Sequence, residues 1–437
     1  MSREVAFDVL RQVTGEDGYA NLVLAKKLAT AGLDARDAAF TTELVSGTCR
    51  LMGTYDRIIE RAGGRLLKTL QPAVVDVLRL GSHQILSMRI PTHAAVDATV
   101  ELAKQRIGHR VTGLVNAILR KIAAKSMEEW LDELAQGLKP MSEKALRGHH
   151  PTWIVKAFAE SLPEDEFEEA LSANNVSPVP TLVIRPGLAS VEELDGKPTN
   201  YSPFGAVREG IPGLVEAVRE GRAGVQDEGS QLVALALSRA EAPDGPWLDM
   251  CAGPGGKAAL LAGLAKEAGT WLLAGEAQEH RASLVRRALS VYGEAPVVVS
   301  DGTKPAWRAQ QFARVMADVP CSGLGALRRR PESRWRRTPS DVAQLVDLQR
   351  DLLDSAINSA KAGGVVAYVT CSPHPAETRQ IVDAVLQSRE DVELLDAPSM
   401  LPEVPDAGDG KYVQLWPHRH GTDAMFLALI RRTQPDR

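Results

Sequence analysis

The chain has 437 residues, enough for two or three domains each with its own core. Hydrophobic residues at 44% and charged residues at 24% exclude a largely disordered protein, and a net charge of −5 argues neither for nor against a nucleic-acid partner. The N-terminus MSREVAFDVLRQV has no apolar signal core, and Arg or Lys interrupts every apolar run, so neither a secretory signal nor a membrane span is expected. Cys49, Cys251, Cys321 and Cys371 lie far apart, with no C-x-x-C pair and no His at zinc spacing. Reduced thiols in a cytoplasmic protein without a metal are the expectation.

In chain order, apolar residues first recur at helical spacing in Val5–Val13, Leu22–Leu28 and Val74–Leu86, with Pro72 near a helix start. Val96, Val100, Ala103, Ile107, Val111, Leu114, Ile118 and Ile122 form a continuous helical stripe, with Arg110, Arg120 and Lys121 off it. An all-α bundle over residues 1–143 follows, with Cys49 as a core residue. From about His149, prolines punctuate short segments such as TLVIRP and AVREGIPG, which suggests a small α/β module over 144–223. Over 224–437 the pattern alternates strand and helix. PWLDM, TWLLAGEA, PVVVSD, RVMADVP and GGVVAYVTC read as buried strands of a parallel sheet covered on both faces. Ligands of such sheets bind beyond the carboxyl ends of the strands, and the chemically interesting motifs lie there.

LDMCAGPGGK is strand, glycine turn and helix start, with glycines at 253, 255 and 256 allowing close approach of a ligand to the backbone. A Walker loop needs Ser or Thr after the lysine, but Ala258 follows Lys257; the dinucleotide fingerprint needs G-x-G-x-x-G, and the spacing here is G-x-G-G. S-adenosylmethionine remains as the third candidate, with Glu276 at the next strand end for the ribose hydroxyls and Asp301 after the following strand facing the adenine.

ADVPCSG and YVTCSP each end a strand on a cysteine followed by Ser and flanked by Pro. A lone buried cysteine is usually a small hydrophobe. Two at neighbouring strand ends beside a methyl donor have a chemical use. Carbon-5 of cytosine is a poor nucleophile, and addition of a thiolate to C6 makes an enamine that can accept a methyl group at C5. An acid such as Asp318 would assist at the N3/N4 edge of the base.

LDMCAGPGGK, SDGT, ADVPCSGLG and YVTCSP resemble successive motifs of the RNA (cytosine-5) methyltransferases, and VQDEGSQLVALAL resembles the entry segment of the same domain. DAAFTTELVSGTCRLMGTYDRII and VDATVELAK…GLVNAILRKI resemble the NusB-like domain of the Sun/Fmu (RsmB-type) ribosomal RNA members. The resemblance spans nearly the whole chain. It implies a Rossmann-like class I S-adenosylmethionine-dependent methyltransferase sheet behind an all-α NusB-like bundle and a small α/β module. It also implies methyl transfer to C5 of a cytosine in 16S (small-subunit) ribosomal RNA, unassembled or partly assembled, by a monomer. The alternatives are a tRNA substrate and a catalytically inactive ribosomal RNA-binding or assembly factor. Family usage makes Cys371 the nucleophile and Cys321 the releasing group, with Asp318 assisting. It places the cofactor on Cys251, Ala252, Gly253, Pro254, Gly255, Gly256, Lys257, Glu276, Asp301 and Asp318.

Two departures stand out: Glu276 where members usually carry Asp, and Asp423-Ala424-Met425-Phe426 in place of D-G-F-F, where Ala disfavours a positive φ. LRRRPESRWRR directly follows the P-C-S motif. Its Arg328, Arg329, Arg330, Arg334, Trp335, Arg336 and Arg337 are expected to meet RNA phosphates and an unpaired base at the mouth of the site. His418 and His420 read as surface or RNA-facing groups rather than metal ligands.

Overall fold

The computed structural model describes residues 1–293 and 295–433. It divides into two compact units, one of Met1–Ser177 with Leu327–Arg337, the other of Pro178–Ala326 with Thr338–Arg437. The expected boundaries differ from this division. The break at 143/144 falls inside the helix Pro140–Arg147, and the break at 223/224 falls inside a strand, Ala223–Val225. Helices out to Ala173 go with the first unit because they share its packing, and the small sheet goes with the second.

The first unit is helical throughout. Helices Ser2–Gly15, Ala20–Ala31, Ala35–Gly63, Pro72–Leu86, Thr92–Arg106 and Thr112–Ile122 bury their apolar faces in one core that includes Leu10, Leu44, Cys49, Ile58, Leu78 and Ile118. Local chemistry sets the ends. The Asp34 carboxylate accepts from Asp37 N at 2.7 Å to start the long helix, Gly64 ends it in the left-handed region, and Pro72 opens the next one. The stripe expected to run unbroken from Val96 to Ile122 is interrupted at Gly108, whose φ of +129° is open to glycine and breaks it into two helices.

The arginine-rich segment Leu327–Arg337 belongs to this same unit. Arg334 is fully buried and donates to His149 O (3.1 Å), Asn174 O (3.0 Å) and Asn175 Oδ1 (2.7 Å). Burial, with Arg50 nearby, pulls its guanidinium down to about 9. The Trp335 ring lies over Gly53, where a Cβ would collide with it, and its indole N–H donates to Cys49 O at 2.9 Å. Arg336 donates to Val13 O and to Gly18 O, and Glu332 accepts from Ala20 N at 3.2 Å. The expectation of a solvent-facing RNA loop therefore fails for Arg334, Trp335 and Arg336, which are engaged as internal ties of the helical unit. Arg328 is also buried, and Arg330 stacks over the Tyr19 ring at 4.9 Å. Arg329 and Arg337 are half-buried.

The second unit holds two sheets. The smaller, antiparallel, has the order β2-β3-β1-β4, with β1 (Thr181–Ile184), β2 (Lys197–Pro198), β3 (Gly205–Val207) and β4 (Ala223–Val225). The larger contains β5 (Trp247–Asp249), β6 (Leu272–Glu276), β7 (Val297–Val299), β8 (Phe312–Asp318), β9 (Ala360–Thr370), β10 (Val392–Leu394), β11 (Gly408–Asp409), β12 (Tyr412–Gln414) and β13 (Phe426–Arg432). Its order is β11-β12-β13-β9-β8-β5-β6-β7, with β10 against β13. Strands β5 to β9 are parallel and β10 to β13 run antiparallel, as in the methyltransferase sheet the sequence implied. The five runs read as strands are β5 to β9; the antiparallel strands β10 to β13 went unread. Strand order reverses between β5 and β8, so their carboxyl ends open the crevice where ligands of such sheets bind. No helix among the described residues is long and apolar enough to cross a membrane.

At that crevice Asp249 ends β5 wholly buried, with Oδ1 lacking a hydrogen-bond partner, and burial with the nearby Asp318 charge pushes its carboxyl up to about 7.

Two stability measurements follow. Arg334→Ala removes three hydrogen bonds, one to the buried Asn174 carbonyl and two to half-buried acceptors, and is expected to lower the stability of the helical unit by about 3 kcal/mol in urea denaturation. Asp249 holds its proton in the folded state at pH values where the unfolded chain has lost it. Its contribution is present below pH ~4 and is lost as pH rises toward about 7. Asp249→Asn is therefore expected to gain on the wild type over that window, by on the order of 3 kcal/mol at pH 7. Parallel stability–pH curves for the two proteins would refute this.

Candidate active site

The glycine turn between β5 and the helix Gly256–Glu267 is shaped by contacts that exclude side chains. Gly255 has φ +110°, and a Cβ there would stand 2.7 Å from that of Ala288; at Gly253 a Cβ would collide with the Glu276 carboxylate. Glu276, buried at the end of β6, accepts from Gly253 N and Gln278 N, each at 3.0 Å. Arg281 donates to Gly253 O at 2.5 Å and lies 3.6 Å from Glu276. The carboxylate expected at a ribose thus also braces the loop. Asp301 is exposed, and hydrogen bonds from Thr303 N (2.9 Å) and Oγ1 (2.8 Å) hold its carboxyl below the usual range. In the turn itself Ala252 is buried, Gly253 half-buried and Pro254 exposed. Burial pushes the Cys251 thiol well up, so this cysteine is a neutral lining group.

One residue absent from the sequence-derived set faces this loop. Gln226 is 8% exposed, neither its amide oxygen nor its amide nitrogen has a hydrogen-bond partner, and it lies 3.7 Å from where a Cβ on Gly256 would stand. A buried amide with both groups unpaired suits a polar ligand. Its place in VQDEGSQ, one residue after β4, carries no signal that separates it from an ordinary loop glutamine.

Lys257 reaches from the first turn of that helix to Asp318 Oδ2 at 2.9 Å and to Ser230 Oγ at 3.2 Å. The negative charges around it, Asp318 first and then Cys371 and Asp249, raise its proton affinity against the opposing effect of burial. Cys321 and Cys371 come together from the ends of β8 and β9, with sulfurs 3.3 Å apart and both residues partly exposed. Hydrogen bonding to Cys371 and burial push the Cys321 thiol well up. Cys321 therefore favours its protonated form.

The sequence-derived Cys251, Lys257, Glu276, Asp318, Cys321 and Cys371 thus gather at the carboxyl ends of β5, β6, β8 and β9. The concern over Ala424 resolves: it keeps a negative φ, and the glycine demand falls on Gly325 instead. Gly325 N donates to Cys371 O (2.8 Å), its carbonyl accepts from Ala424 N (2.9 Å), and a Cβ there would strike both carbonyls. His420 is not a surface group. It is buried, accepts from Trp416 N at Nδ1 (2.9 Å), and its Nε2 lies 3.1 Å from Pro405 O.

Comparisons with known proteins bear on the family. Residues 233–431 match the family described as 16S rRNA methyltransferase RsmB/F, and residues 1–124 match the NusB family. The chain is 46% identical to the methyltransferase Rv1407 of Mycobacterium tuberculosis, over 99% of this chain and 96% of that one. It is 31% identical to the ribosomal RNA small subunit methyltransferase B of Vibrio cholerae, over 91% of this chain and 90% of the relative. The crystal structure of PH0851 shares the fold across 99% of both chains, with a TM-score of 0.83 at 22% identity. Family match, full-length relatives and fold lead to one statement: the chain belongs to the RsmB-type ribosomal RNA methyltransferases.

Proposed function

We propose that the protein transfers a methyl group from S-adenosylmethionine to C5 of a cytosine in small-subunit (16S) ribosomal RNA, through a covalent bond between Cys371 and C6 of the base. The carrying observation is the sulfur pair, 3.3 Å apart, next to the Lys257–Asp318 ion pair at the carboxyl ends of β8 and β9. Binding alone needs no second thiol, so the pair favours catalysis over an assembly role. The names of the family and of the Vibrio relative support ribosomal RNA of the small subunit over tRNA. Such a substrate also points to the cytoplasm.

The residues present fit the cofactor. Gln226 offers an unpaired amide donor and acceptor, the backbone of Gly253, Gly255 and Gly256 leaves room for close approach, and Glu276 and Asp301 end the two neighbouring strands. When bound, the cofactor supplies an electrophilic methyl group. Everything else falls to this chain. Cys371 adds its sulfur to C6 while the C5=C6 electron pair moves toward C5 and the N3 edge; Asp318, held by Lys257 and entering this step in its protonated form, gives N3 a proton and takes it back as C5 is methylated. C5 then takes the methyl group. Loss of the C5 proton to a base and cleavage of the Sγ–C6 bond restore the aromatic ring and return Cys371 as thiolate. Cys321, which holds its own proton beside the departing sulfur, assists that release. The target base must be unpaired or turned out of a helix to present C5 and C6.

Single variants separate the two sulfurs. With 16S rRNA and labelled cofactor, Cys371→Ala is expected to give no methyl transfer and no covalent adduct. Cys321→Ala is expected to accumulate a protein–RNA adduct that survives denaturing electrophoresis. The reverse pattern would exchange the roles, and full activity of both variants would remove the covalent route altogether. Mapping 5-methylcytosine in 16S rRNA and tRNA from a deletion strain identifies the substrate.

A further inference from the structure

Both cysteines are followed by serine, and the mechanism above leaves those serines without a part. The structure gives them one. Glu377, in the short turn Pro375–Glu377 after β9, is fully buried with no basic side chain among its hydrogen-bond partners. Its Oε1 accepts from Ser322 N at 2.7 Å and from Gln349 Nε2 at 3.1 Å. Its Oε2 accepts from the hydroxyls of Ser322 and, at 2.7 Å, of Ser372, which are themselves 3.2 Å apart. Behind it, the Tyr368 hydroxyl donates to Glu377 O at 2.8 Å, and Gln349 also donates to Pro320 O at 2.9 Å. One carboxylate thus joins the P-C-S loop, the T-C-S loop and the helix Pro339–Ser359.

We propose that Glu377 is a positioning residue for the reaction, its buried carboxylate holding the Cys321 and Cys371 loops together through Ser322 and Ser372 and so setting the separation of the two sulfurs. A buried carboxylate is costly unless its lone pairs are satisfied, and here four donors converge on it. Those donors come from both loops, so neither loop can shift without leaving a buried group unpaired. Loops at strand ends are otherwise the mobile parts of such a sheet. A sulfur displaced by about 1 Å from its attack geometry reduces turnover about a hundredfold. This role rests on the proposed chemistry at Cys371, and its test also reads the geometry without any RNA.

The full-length protein is equilibrated with mixtures of reduced and oxidised glutathione, and the Cys321–Cys371 disulfide is quantified by non-reducing peptide mapping. Two thiols give up two electrons and two protons, and one glutathione disulfide becomes two thiols. The equilibrium therefore reports the effective concentration of one sulfur at the other. Glu377→Ala is expected to lower that effective concentration about tenfold and single-turnover methyl transfer about tenfold or more, with cofactor affinity unchanged. Glu377→Gln, which keeps one acceptor oxygen and the length, is expected to restore most of both. If Glu377→Ala does not fold, Ser372→Ala takes its place and must move both readings in the same direction. Wild-type disulfide equilibrium and turnover in the variant that folds would overturn the proposal. Loss of the equilibrium shift tests Glu377 alone, whereas an active Cys371→Ala would refute the proposed chemistry and leave the positioning result standing.

Discussion

The site depends on the parallel pairing of β8 with β9. Their register sets Val315 against Val366, Ala317 against Tyr368 and Asp318 against Val369, so the two strands leave the sheet at the same level. Cys321 lies three residues beyond Asp318 and Cys371 two beyond Val369, and both turns then occupy one small volume. The register is enforced from below. Residues 365–370 of β9 and most of β8 are fully buried, and side chains alternate between faces with a period of two. A slip by one residue would turn each apolar set onto the wrong face and carry the two sulfurs apart. Stability of the sheet core and geometry of the sulfur pair are therefore one constraint.

The parallel strands β5 to β9, their carboxyl-end placement and the two cysteines that end β8 and β9 were legible in the sequence because each leaves a local mark: an apolar run, a glycine turn, a cysteine where a run stops. The helical bundle was legible by periodicity, except where Gly108 breaks it without altering the apolar spacing on either side. The arginines of Leu327–Arg337 misled for a reason that composition cannot remove. Whether an arginine faces solvent or donates to carbonyls inside depends on what the chain folds against it. The acceptors of Arg334, at His149, Asn174 and Asn175, lie more than a hundred residues upstream. The same holds for Glu377, an acid before an apolar helix, which locally resembles any helix-start carboxylate. Its partners come from three segments that only the tertiary fold brings together.

Gly325 illustrates how a family departure can mislead. A glycine in D-G-F-F would be required at 424 if that position had a positive φ, and Ala424 has none. The structure places the demand on the opposite side of the contact. Gly325 fits between the carbonyls of Cys371 and Ala424 with no room for a side chain, so alanine at 424 contributes only a carbonyl and an N–H. What the T-C-S turn requires is a side chain missing from its neighbour.

Charge balance ties these groups into one titrating set. Lys257 is the cation that ion-pairs with Asp318, and around it stand Asp249, Asp318 and the two sulfurs. A single cation in a desolvated crevice does not support that many anions at once. The conflict is met by protonation. Asp249, buried and without a cationic hydrogen-bond partner, keeps its proton up to about pH 7; Cys321 is pushed toward its protonated form; the Lys257 charge pairs with Asp318. The protons belong to the set rather than to single residues. Removing one anion therefore changes the charge available to the others.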